Sequence, residues 1–160
     1  MAVFDASSVL HAWDNYPEPQ FPPLWNWIAQ EIEQTRIVMA RVACDEVAGK
    51  APECAQWLRA ADIDEFEITN AITTEAMRIK GLLGIVGDNY QARGVGENDI
   101  LIVATAGVHR LELVSEEARQ PNAPQNPANS KIPLVCAMRE VAVPCLNFIE
   151  YVKRSNEVFG

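Results

Sequence analysis

The chain reads as an α/β protein built on a largely parallel sheet, and three observations predict it. Short apolar runs that suit buried strands recur along the sequence, and each is followed by a stretch with apolar residues at helical spacing. Alternation of this kind places crossover helices over a parallel sheet and covers both of its faces. With 160 residues, 49% of them hydrophobic, the chain is long enough for one core and too short for two ordinary ones, so residues 1–160 are read as a single domain.

Residues 2 to 5, AVFD, form a first strand that ends in an acid. A helix follows from about Ser7 to Tyr16, stopped by Pro17 and Pro19, which lack the N–H that a helix interior requires. FPPLWNWIAQEIEQ starts a second helix, with Pro22 and Pro23 suited to its first turn and Leu24, Trp27, Ile28 and Ile32 on one face. Trp25, two residues from Trp27, cannot share that face, and both are read as core or interface residues rather than base-stacking platforms. RIVMA is a second strand, leading into a helix that carries Asp45 and Glu46, and PECAQWLRAA restarts as another helix after Pro52.

FEIT, residues 66–69, is read as a third strand. Thr69 or Asn70 then caps a long helix with apolar positions 72, 76, 79, 83 and 86. Gly81, Gly84 and Gly87 weaken it by up to about 1 kcal/mol each, so it bends or ends early, and their spacing is not that of a phosphate loop. From Ile100 to Val108 every residue but Thr105 and Gly107 is apolar, the mark of a helix buried nearly all round. Its polar head, Glu97, Asn98 and Asp99, sits at the positive end of the helix. LELVS is a strand that delivers Ser115, Glu116 and Glu117 at its end. Ala118 to Lys131, with Pro121, Pro124 and Pro127, is a loop by composition, expected to be mobile without a ligand. A helix from about Pro133, a strand over Val143 to Cys145 and a helix to about Arg154 complete the chain.

Charge narrows the function. A formal net charge of −9, from 22 acids against 13 Lys and Arg spread singly, repels nucleic acid unless cations are recruited locally. The four cysteines form no CxxC pair and read as buried thiols. No apolar run approaches the roughly eighteen residues of a membrane span, and no secretory leader opens the chain, so a cytoplasmic protein without membrane contact is expected.

In parallel sheets functional groups gather outside the carboxyl ends of the strands. Asp5 and Glu117 sit at such ends, and Asp99 and Glu46, on helices, can reach the same place. Two unit charges about 4 Å apart repel by roughly 4 kcal/mol at an effective dielectric near 20, so clustered carboxylates must share protons or hold cations. Taken singly, Asp5 and Asp99 read more simply as helix-start acids and Glu46 as a solvated helical residue.

The order Asp5, Glu46, Asp99, then LELVSEE, resembles the acidic set of the PIN-domain nucleases, the fold of VapC-type toxins. YPEPQFPPLWNWI, NDILIVATA and KIPLVCAMREVAVPCLN extend the resemblance over nearly the whole chain, to a bacterial PIN-like family catalogued mainly as a domain of unknown function. The resemblance implies a three-layer sandwich with a central, mainly parallel sheet flanked by helices. It also implies a metal-dependent ribonuclease that prefers single strands and is neutralised by an antitoxin partner, with a homodimer common in the family. Asp5, Glu46 and Asp99 match its first three acids, and Ser7 matches the small polar residue that orients the first. At the fourth corner the usual Thr or Ser followed two residues later by Asp becomes Ser115 and Glu117, a longer acid. On this reading Asp5, Glu46 and Asp99 hold one Mg²⁺ or Mn²⁺ and Glu117 completes a second, weaker site, while Arg119 and Lys131 at the ends of the proline-rich loop grip the RNA backbone.

Two rivals belong beside it. An aspartyl-phosphate phosphatase also ends its first strand in Asp but carries a second Asp two residues on, where this chain has Ser7. A PIN-like module without activity, serving only to bind a protein partner, would keep the fold and tolerate the change at Glu117.

Overall fold

The computed structural model describes residues 1–160. Five strands, β1 (Ala2–Phe4), β2 (Ile37–Ala40), β3 (Asp64–Phe66), β4 (Glu112–Val114) and β5 (Cys145–Leu146), form one sheet in the order β3-β2-β1-β4-β5. Every pairing is parallel, with Val3 opposite both Val38 and Leu113. Eight helices flank the sheet: α1 (Ala6–Asn15), α2 (Pro22–Glu33), α3 (Arg41–Lys50), α4 (Pro52–Ala60), α5 (Asn70–Leu82), α6 (Glu97–His109), α7 (Ile132–Ala137) and α8 (Phe148–Ser155). This is a three-layer α/β sandwich of PIN-like fold.

Strands β1 and β2 are buried along their whole length and β4 at Leu113 and Val114, as sheets covered on both faces require. Phe4 meets Tyr151 of α8 edge-on with ring centroids 5.0 Å apart, and Trp27 of α2 packs on the same tyrosine, so α2 and α8 cover the Phe4 face. The α6 helix lies against β1 and β4 with α3, α5 and α7 packed around it. Its residues Ile100, Ile102, Val103, Ala104 and Ala106 are buried, and Thr105 satisfies its hydroxyl by donating to the Leu101 carbonyl at 2.7 Å. Trp25 and Trp27 both lie in the core on different sides of α2, the first against Trp13 and Trp57, the second against Tyr151 and Phe159.

Three elements differ from their sequence reading. The third strand begins two residues earlier, because Thr69 is used as the cap of α5, its hydroxyl accepting from the Ile72 N–H at 3.3 Å. Asp64 and Glu65 are exposed on this edge strand, so no apolar pattern marked it. The α5 helix stops at Leu82, and Gly84, at φ +69°, turns the chain so that Val86 is 79% exposed rather than on the apolar stripe. The last strand is shifted to Cys145–Leu146, since Pro144 offers only its carbonyl, which accepts from the Leu113 N–H at 2.8 Å. The proline-rich loop is tied down: the Gln120 side chain bonds the Asn129 carbonyl and the Lys131 N–H, and a 3₁₀ turn over Pro127–Asn129 buries Ala128.

No helix is long and apolar enough to cross a membrane. All four cysteines are free thiols, Cys54 and Cys136 buried and Cys44 and Cys145 half-buried.

Candidate metal centre at the carboxyl ends of the strands

The strand order reverses between β1 and β4, because the chain builds outward from β1 through β2 to β3 and then returns to the other side of β1. The crevice outside such a reversal is where open α/β sheets place their chemistry. Asp5 follows β1 and Ser115 follows β4, so both border it.

Asp5 stands at the cap position of α1, yet its side chain makes no capping bond. Its Oδ2 instead accepts from Ser7 Oγ at 2.5 Å and from Ser115 Oγ at 3.0 Å. Each hydroxyl in turn accepts a backbone N–H, Ser7 from Glu116 at 2.9 Å and Ser115 from Glu117 at 3.2 Å. With both serine protons committed to Oδ2, the carboxylate is held by one oxygen. The other, Oδ1, is buried and has no hydrogen-bond partner. An unmet polar atom in such a place costs on the order of 1–3 kcal/mol, more if charged, unless a proton or a cation meets it.

The acids around it are coupled. Burial raises the Asp5 carboxyl to about 6, with the charges of Asp99 and Glu46 pushing the same way and the two serines opposing. Burial likewise raises Glu117 to about 7, and the charges of Asp99 and Asp5 add to it. Asp99 is shifted upward by burial, against the Gly96 N–H, Lys50 and Lys131. The structure therefore brings Asp5, Glu46, Asp99 and Glu117 into one electrostatic neighbourhood.

It does not close them into a cage. No three His, Cys, Asp or Glu side chains stand close enough together to hold a metal ion as they lie, and none of the four acids lines any of five cavities found elsewhere on the molecule. The largest of those, about 410 Å³ and lined by Met1, Glu31, Arg36, Glu112, Tyr151 and Arg154, opens where the strands begin. The reason for the open geometry is visible in the bonds. Three of the four acids take local partners. Asp99 Oδ2 accepts from the Gly96 N–H at 2.8 Å, Glu117 Oε2 from the Ile132 N–H at 2.7 Å, and Glu46 Oε1 lies 3.6 Å from Lys50 Nζ. Asp99 thus does act as a helix-start acid with one oxygen. Among their oxygens Asp5 Oδ1 alone is buried without a hydrogen-bond partner, and the all-oxygen donor set around it suits a hard divalent cation.

The two basic candidates part company. Lys131 precedes Ile132, whose N–H bonds Glu117 Oε2, and its charge favours the ionised forms of Asp99 and Glu117, whereas Arg119 is engaged by Glu150 of α8. Lys50 is a neighbour that the sequence reading missed. Its signal was present, since it lies four residues after Glu46 on one helix and so shares its face.

No curated protein matches the chain. Two solved structures share its fold at low identity. The crystal structure of PAE2754 from Pyrobaculum aerophilum is 12% identical, with 98% of this chain and 90% of that chain aligned at a TM-score of 0.55. The crystal structure of VapBC2 from Rickettsia felis bound to a DNA fragment from their promoter is 14% identical, with 91% of this chain and 97% of that chain aligned at a TM-score of 0.52. A family model matches residues 3–159, and the chain therefore belongs to the family described as "Domain of unknown function (DUF4411)".

Proposed function

We propose that the protein is a metal-dependent ribonuclease of PIN type and the toxin of a toxin–antitoxin pair. The observation that carries this reading is Asp5 Oδ1, a buried, unpartnered carboxylate oxygen among three further acids. Asp5, Glu46 and Asp99 would hold one Mg²⁺ or Mn²⁺, and Glu117 would complete a weaker second site. When bound, the cation supplies an activated water and offsets charge on the phosphodiester.

The chain's own residues do the rest. Ser7 and Ser115 fix the Asp5 carboxylate through Oδ2 and leave Oδ1 for the cation. Burial raises the carboxyls of Asp5 and Glu117, so protons would compete there with a cation, and binding would strengthen as pH rises. Lys131 offers an ammonium beside the acids to a phosphate, and Arg119 joins it only by leaving Glu150. The likeness in fold to VapBC2 supports a protein antitoxin as the partner, and the resemblance of the sequence to the PIN family extends the proposal to a homodimer and to the cytoplasm.

The test is cleavage of single-stranded RNA in the presence of Mn²⁺. Wild type should cleave, Asp5→Asn should lose at least about a hundredfold, the scale of losing a group that places a metal, and EDTA should silence both. Wild-type protein that leaves RNA intact across several divalent metals would point instead to an inert PIN-like module that binds a protein partner. Equal cleavage by the variant would remove Asp5 from the mechanism.

A further inference from the structure

We infer that the cavity of about 410 Å³ at the end of the sheet opposite the acids is a second binding site, and that it takes a small phosphate ester. The inference does not depend on the nuclease reading. The cavity is bordered by the starts of β1, β2 and β4 and by helices α2 and α8, and its volume lies in the range of small-molecule sites.

Five side chains from four parts of the chain form its polar wall as one bonded ladder. Glu112, at the start of β4, holds Arg154 of α8 through both oxygens, with Nη1 2.6 Å from Oε2. The Arg154 guanidinium lies over the Tyr151 ring, Cζ 5.6 Å from its centroid, and the Tyr151 hydroxyl donates to Glu31 Oε2 at 2.8 Å. Glu31 Oε1 in turn accepts from Arg36 Nε at 2.7 Å. A tight turn after α2 brings Arg36 there, with Thr35 at φ +54° and the Arg36 N–H bonded to the Glu31 carbonyl at 2.8 Å. A β-branched residue takes that conformation only where its surroundings impose it. Nor is the Glu31–Arg36 pair an ordinary surface contact, since the Glu31 side chain is only 8% exposed and a carboxylate is costly to withdraw from water.

What the ladder leaves unspent decides the ligand. A guanidinium carries five N–H donors. Arg36 spends three of them on Glu31 and Gln34, and Arg154 spends two on Glu112, so the two forks keep five between them. All four oxygens of Glu31 and Glu112 are engaged. The wall is therefore rich in charged donors and poor in acceptors, which suits an oxyanion. A carboxylate offers those donors two oxygens and a phosphate monoester three, so the phosphate is the better match. The cavity is much larger than that group, and Met1, Trp27 and Tyr151 give it an apolar side for an organic body. Arg36 and Arg154 are 47% and 52% exposed in their side chains, so a ligand reaches them without any part of the fold opening. The remaining acid on the wall, Glu157, is exposed to solvent, which screens its charge.

The test is calorimetric titration of the full chain with AMP, adenosine and inorganic phosphate, all in EDTA so that no cation at the acids draws the phosphate there. Wild type should bind AMP, and adenosine at least about tenfold more weakly, the scale of losing charge-assisted hydrogen bonds. Inorganic phosphate should compete with AMP. Arg154→Met, at a half-exposed residue, leaves the Glu31–Arg36 pair in place and should weaken AMP binding about tenfold or more. Arg154→Lys, which keeps the charge without the fork, should recover only part of that loss. Arg36→Lys keeps a cation on the buried Glu31 and should also weaken AMP binding, which guards against a loss of fold in the first variant. Asp5→Asn should bind AMP as wild type does. No AMP binding by wild type, adenosine bound as tightly as AMP, or equal AMP affinity in wild type, Arg154→Met and Arg36→Lys overturns the assignment. Loss of AMP binding in Asp5→Asn places the phosphate at the acids and overturns it too. Because no cation enters the titration, a failure here leaves the nuclease reading as it stands.

Discussion

Ser115 Oγ donates to Asp5 Oδ2 at 3.0 Å, joining two residues 110 positions apart in the sequence. The bond exists because β1 and β4 are parallel neighbours in register, Phe4 opposite Val114, so the residues that follow each strand emerge side by side. Ser115 accepts from the Glu117 N–H at the same time, which fixes its hydroxyl and ties the backbone of one candidate ligand to the side chain of another.

Ser115→Ala should therefore weaken Mn²⁺ binding about tenfold, the scale of losing a residue that orients a ligand. The fold should lose about 1–2 kcal/mol, because Asp5 loses one of two donors and the Glu117 N–H its acceptor. Calorimetric titration and a urea melt measure the two effects. Unaltered metal affinity would show that Ser7 alone orients the carboxylate.

Asp5 and Glu117 predict an unusual dependence of stability on pH. Their carboxyls move up to about 6 and about 7 in the folded state from ordinary values of 3.8 and 4.5. Across that window the folded chain binds more protons than the unfolded one, so stability falls as pH rises. Metal-free protein should be most stable, as far as these groups decide it, near pH 4 and should lose stability progressively toward pH 7. The part due to Asp5 is on the order of 3 kcal/mol. Asp5→Asn carries no charge to desolvate and should melt higher than wild type at pH 8. Mn²⁺ should raise the wild-type melting temperature there and leave the variant nearly unmoved. A wild-type profile that instead rises from pH 4 to pH 7 would show these acids to be freely hydrated.

Gly94 tests whether the proline-rich loop is a fixed part of the site. A Cβ at this position would lie 1.8 Å from the Ala128 carbonyl oxygen, and the neighbouring Val95 N–H bonds the Ser130 carbonyl at 2.9 Å. Gly94→Ala must push that backbone away, with Lys131 and the start of α7 behind it. It should cost more than about 2 kcal/mol by chemical denaturation and raise hydrogen exchange from residue 126 to 132. A neutral substitution would mean that the loop yields freely.

The sequence made the central sheet legible because its strands are buried on both faces and read as unbroken apolar runs, while β3, exposed at Asp64 and Glu65, carried no such mark. It named the four acids through their order, but could not show that three of them would take local partners and leave Asp5 Oδ1 without one. That division depends on contacts between residues far apart in the chain, such as Ser115 with Asp5. Arg119 looked free for RNA because its partner Glu150 lies 31 positions away. Lys50 was overlooked although its i, i+4 relation to Glu46 is written in the sequence.

Glu117 stands where the resemblance to PIN nucleases implies an Asp, and its geometry gives the extra methylene a purpose. The longer side chain lets Oε2 reach the Ile132 N–H at 2.7 Å, at the first turn of α7, while the backbone stays bonded to Ser115. Glu117→Asp withdraws the carboxylate by about one carbon–carbon bond, so the bond to Ile132 should break. The loss should be about 1–2 kcal/mol, since a buried N–H is left unmet. Glu117→Gln keeps an oxygen acceptor of the same reach and removes only the charge. It should fold as well as wild type at pH 6 and better at pH 8, where the wild-type acid is ionised in a buried place and against Asp99 and Asp5. Paired urea melts of the two variants at pH 6 and pH 8 separate reach from charge. If Glu117→Asp matches wild type at both values, the bond to Ile132 has no energetic weight. If Glu117→Gln gains nothing at pH 8, the carboxylates are not repelling one another, and the electrostatic case for a cation among them falls with it.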